Sequence, residues 1–243
     1  MFVDTSSRSN EPEIMDDFNM KGETLRDALD KIAAINRLLG GNKVTLQGVE
    51  LLLAKLDKAK KIRILDVGCG NGDMLRFLAD YASKNGYNFS LTGIDANDFT
   101  ISYAKSQSLN YSNISFQCAD IFEEINKPND YDIILCTLTL HHFKDQEILD
   151  LLRGFKSSCT LGIVINDLQR SAIAYYLFIA LCWVFRLNKM SRDDGLVSIL
   201  RGFKKADLKH YAGKLNLTQY LICWKWAFRY QWIIKNTPQR SQT

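Results

Sequence analysis

Residues 66–72 read Asp-Val-Gly-Cys-Gly-Asn-Gly, an acid followed by three glycines at alternate positions. Glycine has no Cβ and tolerates positive φ, so this run lets the backbone come close to a ligand. An apolar run, Ile62, Ile64, Leu65 and Val67, precedes it. Met74, Leu75, Phe77, Leu78 and Ala82 follow at helical spacing, up to Gly86. The glycines therefore occupy a strand-to-helix turn, where a helix N-terminus offers free N–H donors and partial positive charge. The order Asp66-x-Gly68-x-Gly70-x-Gly72 is one residue tighter than the dinucleotide fingerprint. Asp66 would repel a phosphate and suits a cationic group such as an α-amine. Asp95 ends the next apolar run, 23 residues after Gly72, where α/β nucleotide folds place the acid that takes ribose hydroxyls. One acid for an amine and one for a ribose describe a nucleoside carrying an amino acid, as in S-adenosylmethionine (SAM).

The elements that must position these residues follow from the pattern. Strands are expected near 62–67, 89–94, 114–118, 131–136, 161–167, 217–224 and 228–235, and helices near 73–84, 98–108, 145–156, 171–187 and 205–215. Two further helices, 23–39 and 44–57, precede the first strand, with Gly40-Gly41 between them. Alternating strands and helices imply a parallel sheet with right-handed crossovers. The last two strands are joined too closely for a crossover and must form an antiparallel hairpin. The fold class is thus α/β: a Rossmann-like, seven-stranded, mostly parallel sheet with a C-terminal antiparallel hairpin and a helical lid. The expected division is a disordered polar tail over 1–13, a helical lid over 14–57, a SAM-binding domain over 58–235 with a helical insertion at 171–200, and a tail over 236–243.

With these elements in place the chain resembles the class I SAM-dependent methyltransferases. The resemblance rests on Ile64-Leu65-Asp66-Val67-Gly68-Cys69-Gly70-Asn71-Gly72, on Gly93-Ile94-Asp95, on Cys118-Ala119-Asp120-Ile121, and on Tyr131-Asp132-Ile133-Ile134-Leu135-Cys136 followed by Leu140-His141-His142-Phe143. It covers about residues 45–235, and its finer likeness is to quinone- and polyketide-modifying members. The resemblance implies SAM as cofactor, held by Asp66, Gly68, Cys69, Gly70, Gly72, Asp95, Ala96, Asp120 and Ile121. His141 and His142 follow the fourth strand on the rim where open α/β sheets bind ligands. Either could take a proton from an attacking hydroxyl, or a histidine here could only hydrogen-bond backbone. Asp167 and Arg170, after the fifth strand, could orient a polar acceptor group or pair with each other.

Residues 172–185 are apolar on all sides, too short to span a bilayer. A helix on a sheet should have a polar face; here the N-terminal helices, a second subunit, a membrane surface or an apolar substrate must cover it. The expected arrangement is a lid of this helix and the two N-terminal ones, with Tyr175, Tyr176, Phe178, Trp183 and Phe185 offered to a flat acceptor. Lys189, Arg192, Arg201, Lys204, Lys205 and Lys209 read as a solvated face.

Composition narrows the partners. The net charge of +4 is low for a nucleic-acid enzyme, and no groove-reading motif is present. Thr137-Leu138-Thr139-Leu140 replaces the Asn-Pro-Pro-Tyr motif of amino-methylating subfamilies. The six cysteines are scattered without a C-x-x-C pair, which reads as reduced thiols in a cytoplasmic protein with no metal site. No leader is apparent at the N-terminus. The expectation is methylation of a phenolic or other hydroxyl of a hydrophobic small molecule by a monomer or homodimer. The alternatives are carbon methylation of a quinone precursor and a non-catalytic SAM-binding scaffold.

Overall fold

The computed structural model describes residues 3–125 and 131–236. Helices α1 (Glu23–Leu38) and α2 (Gly41–Leu53) lead into β1 (Lys61–Val67), α3 (Asp73–Asn85), β2 (Asn88–Asp95), α4 (Asp98–Gln107) and β3 (Ile114–Cys118). After the single turn α5 (Ile121–Glu124) come β4 (Tyr131–Thr137), α6 (Asp145–Ser158) and β5 (Cys159–Leu168). Helices α7 (Ala172–Val184), α8 (Lys189–Arg201) and α9 (Lys205–Lys214) then precede β6 (Tyr220–Lys225) and β7 (Arg229–Lys235). The sheet order is β3-β2-β1-β4-β5-β7-β6, and only β7 runs antiparallel to its neighbours. The chain reverses its direction of growth between β1 and β4, which opens a crevice at their C-terminal ends.

Central strands are apolar on both faces because helices cover both. Leu65, Ile134, Ile163 and Trp232 face α6 and α9, while Ile64, Ile133, Leu135 and Val164 face α2 and α3. The edge strands β3 and β6 are largely exposed.

Several boundaries differ from the sequence reading, each for a local reason. Gly40 takes a left-handed φ of 77° and starts α2 directly, so this helix occupies 41–53 rather than 44–57. Strand β6 begins at Tyr220 rather than 217, because Leu215 to Leu217 turn back to close α9 on the Ala212 and Tyr211 carbonyls. The helical insertion is two helices, α7 and α8. The N-terminal segment departs most. Residues 3–13, expected to be disordered, lie against the domain: Arg8 donates to the carbonyls of His141, Phe143 and Arg201 and pairs with Asp145, and Glu13 is buried. Of the C-terminal tail only Asn236 lies within the described residues, and it is anchored on the Lys156 and Cys159 carbonyls.

Helix α2 is part of the sheet's covering layer rather than a lid. Its Gly48 rests on Val164 of β5, where an added Cβ would come within 2.5 Å of Val164 Cγ1. Gly48→Ala should therefore destabilise the protein by about 1–3 kcal/mol through overpacking, despite a gain in helix propensity of up to about 1 kcal/mol. Urea unfolding of the two proteins checks this; equal or greater stability of the variant would show that α2 can lift away freely.

Candidate active site

The turn between β1 and α3 is built by left-handed backbone. Gly68, Gly70 and Gly72 have φ of 67°, 53° and 77°, a region that L side chains reach only with strain. The turn is stitched to the end of β2: Cys69 N donates to Ile94 O, and Gly70 N donates to Asp95 Oδ2 at 3.1 Å. A Cβ on Gly70 would meet only Leu29 Cδ2, at 3.7 Å, so this residue faces open space. Gly72 differs. A Cβ there would strike Phe116, and the residue starts α3 without bordering the cleft.

A cleft of about 1820 Å³ runs along the C-terminal edge of the sheet. Asp66, Gly68, Cys69, Gly70, Asp95, Ala96, Asp120 and Ile121 all line one end of it. Asp66 is buried, and among the described residues no donor reaches its carboxylate. Burial, and then the charge of Asp95, push its pKa up to about 8. Burial also raises Asp95, although the Asn97 and Gly70 amides oppose this. Asp120 accepts from Phe122 N and so caps α5.

The other end is organised by the histidine pair, whose rings lie 4.3 Å apart on the short turn Leu140–His142 after β4. His141 is enclosed. Its Nδ1 is 2.7 Å from Asp167 Oδ1, its backbone N–H donates to Asp167 Oδ2, and its Nε2 faces Glu13 Oε1 at 3.5 Å. Burial alone would lower the His141 pKa, but the two carboxylates prevail and raise it to about 9. Burial works against the charged forms of Asp167 and Glu13 too, yet His141 holds both below their ordinary values. His142 is half-buried and lines the cleft, with Nδ1 2.7 Å from Asp16 Oδ1. Arg201 closes the cluster: it donates to Asp16 Oδ2 at 2.7 Å and to the carbonyls of His141 and His142.

The remaining sequence candidates are placed differently from expectation. Asp167 does not border the cleft; it is consumed by His141. Arg170 lines the cleft but is buried and engaged with Asp207, Gly202 O and Thr5 O, and the two do not pair with each other. Tyr175 and Tyr176 point away from the cleft, which α7 borders with Ala174, Leu177, Phe178 and Leu181. An all-apolar helix carries no phase, so its inward face cannot be read from sequence. Arg201, read as solvated, is buried. Arg8, Glu13 and Asp16 escaped the sequence reading because a polar tail carries no periodicity. The one signal there is Glu13-Ile14-Met15-Asp16, two acids around an apolar pair. It is held by Asp194, which accepts from the Ile14 and Met15 amides.

Glu13, His141 and His142 bring three ligand-type atoms within 4.8 Å of one another. The Arg201 guanidinium, 3.8 Å from Glu13 Oε1, already supplies positive charge there, and Asp16 takes His142 Nδ1. The group reads as an ion-pair cluster.

Residues 58–158 match the family model described as "Methyltransferase domain". That stretch, less than half of the 243 residues, is what the chain shares with methyltransferase domains. Over 109 residues it is 36% identical to the malonyl-[acyl-carrier protein] O-methyltransferase of Acetivibrio thermocellus, covering 44% of this chain and 36% of that protein. Over 160 residues it is 32% identical to the ubiquinone biosynthesis O-methyltransferase of Coxiella burnetii, covering 63% of this chain and 62% of that one. The chain thus spans between a third and two thirds of these curated relatives. Among solved structures, the plantazolicin methyltransferase BpumL in complex with SAH superposes with a TM-score of 0.66 at 17% identity, covering 86% of this chain and 89% of that one. The glycine turn, Asp66, Asp95, Asp120 and the two histidines lie within the matched residues, whereas Arg8, Glu13, Asp16 and Arg201 come from outside them.

The buried cluster fixes a pH dependence. His141, with its pKa raised, contributes stability that is full below pH 6.5 and is lost as pH rises through about 9. Asp167 and Glu13, both depressed, contribute stability present above the ordinary carboxylate range and lost on acidification. Unfolding free energy should thus fall between pH 6.5 and 9 by on the order of 2–3 kcal/mol from His141. Asp66 adds to the decline up to about pH 8. Urea titrations of wild type and His141→Gln separate the two, since the Asp66 part remains in the variant while the His141 part goes, together with its hold on Asp167 and Glu13. Parallel pH profiles would show that His141 is neutral in the fold.

Proposed function

We propose that this chain is a SAM-dependent methyltransferase that methylates a hydroxyl of an apolar small molecule. The observation that carries the reading is that one cleft holds both the glycine turn with its two acids and a histidine oriented by a carboxylate. At about 1820 Å³ it exceeds the roughly 300–1,000 Å³ of a single small-molecule site, which leaves room for a cofactor and an acceptor. The names of both curated relatives given above, each an O-methyltransferase, support oxygen as the atom methylated.

The residues present fit the cofactor. Asp66 is a buried carboxylate with no donor among the described residues, which an ammonium group would satisfy. Gly70 leaves open space beside the turn, and Asp95 and Asp120 stand at the ends of neighbouring strands. SAM supplies a methyl group on a sulfonium centre, already electrophilic. The chain's task is then alignment of the nucleophile and relief of its proton. Asp16 accepts from His142 Nδ1–H, which fixes the tautomer and leaves Nε2 with a lone pair. His142 Nε2 takes the hydroxyl proton as the oxygen attacks. His141, sealed between Asp167 and Glu13, positions this turn and takes no part in proton transfer.

Two measurements test the reading. His142→Ala should lower kcat about 10²-fold with SAM affinity little changed, and Asp16→Asn should reproduce part of that loss. The defect should shrink for acceptors acidic enough to ionise unaided. The assay is SAH release across a panel of lipophilic phenols and alcohols. Rates within a few-fold of wild type, or release only with carbon acceptors, would overturn the assignment.

Ionisation of Asp66 should also be linked to cofactor binding. With its pKa near 8 in the free protein, a cationic ligand draws it to the charged form and a proton leaves at neutral pH. SAM affinity should therefore climb with pH and level off above about 8. Calorimetry in buffers of different ionisation enthalpy reads the proton directly. Asp66→Asn should bind more weakly and lose the release; an unchanged proton count would remove Asp66 from the ligand's amine.

A further inference from the structure

Helix α7 has two apolar faces. One lines the cleft with Ala174, Phe178 and Leu181, and Leu177 stands at the edge between the two faces. The other face is largely uncovered: Ile173 is 64% exposed, Trp183 84% and Val184 66%, with Leu177 and Ile179 also exposed, and with Tyr176 exposed while its hydroxyl accepts from Val3 N. Ile173, Tyr176, Leu177, Trp183 and Val184 fall at helical spacing and form one stripe. The N-terminal helices do not cover it. The hydrogen bonds of α1 in this region go to the turn beyond α7, where Lys31 donates to Arg186 O and Asn188 donates to Asp27.

The stripe's size and edges indicate what it meets. Thirteen residues make a helix about 20 Å long and about 10 Å wide. The five exposed side chains of the stripe add up to on the order of 600 Å² of accessible surface, short of the roughly 800 Å² per partner of a standard protein interface. No helix among the described residues is long and apolar enough to cross a membrane. A helix lying in the bilayer surface needs no matching partner, since its apolar side sinks into the headgroup and acyl boundary. The side chains fit that position. Tyr176 and Trp183 are ring types enriched at membrane–water boundaries. Arg186, Lys189 and Arg192 are exposed just beyond the C-terminal end of α7, and Asp193 offsets one of these three charges. We propose that the outward stripe of α7, with this cationic edge, seats the protein on the surface of an anionic lipid bilayer. The cleft wall is then the other side of the same helix.

The test uses the full chain. Sedimentation with vesicles of mixed phosphatidylcholine and phosphatidylglycerol should carry the protein down, more strongly than with phosphatidylcholine alone, and added salt should weaken the binding. Ile173→Glu/Val184→Glu should reduce the vesicle affinity at least about tenfold. Both positions are exposed, so melting temperature and circular dichroism should not change. Brominated lipids should quench the wild-type fluorescence, and Trp183→Phe should lose most of that quenching. Absence of sedimentation with either vesicle, or equal binding by the double variant, would overturn the proposal. So would a wild-type dimer that the double variant dissociates while vesicles capture neither protein, because the stripe would then be a contact between two copies.

Discussion

The pair of His141 and Asp167 is the constraint on which the site depends. It joins the ends of β4 and β5, two neighbouring strands, through both a side-chain contact and a backbone hydrogen bond. Neither group is stable alone in a dry interior: an uncompensated buried charge there costs several kcal/mol. Glu13 adds a second carboxylate to the far side of the ring, and Arg201 and Arg8 hold the carbonyls of the same turn. The turn therefore has one position, and His142 inherits it. His141, to which the proposed reaction gives no proton transfer, thus decides where the proposed base stands.

The cleft contains two kinds of carboxylate. At the glycine turn, burial pushes Asp66 and Asp95 up, the charge of Asp95 adds to the rise of Asp66, and Asp66 has no donor among the described residues. Around the histidines, Glu13, Asp16 and Asp167 are held down by cations. The first kind is unfavourable in its charged form, which two backbone amides offset at Asp95 and none at Asp66 among the described residues. The second is spent on structure. Perturbed groups of both kinds gather in functional clefts, and here the sign of the perturbation separates binding from support.

What the sequence disclosed follows from the range of the interactions involved. The β1 run, the glycine turn and the Asp95 position are local patterns, and each lies where the periodicity predicts. Phase in α7 was illegible because every side chain is apolar, so Tyr175 and Tyr176 could not be told from Phe178 and Leu181. Helix α8 hid for the opposite reason: its inward face includes Asp194, Ser198 and Arg201, polar residues whose partners are far away in the chain. The same holds for Glu13 and Asp16, since a pairing such as Asp16 with Arg201 has no local signature.

Those distant pairings also set an order of events. Arg8 meets residues 141, 143, 145, 201 and 211, and Asp16 meets 142 and 201. During synthesis the N-terminal segment emerges first and must wait until α8 and α9 have been made before all its partners exist. The glycine turn and its acids, by contrast, draw on β1 to β3 and can assemble while the ribosome is still working. Contacts closed over such long loops form slowly. The half of the cleft that would grip a cofactor therefore matures before the half that would perform chemistry, and an abandoned, partly made chain is left without its histidine clamp.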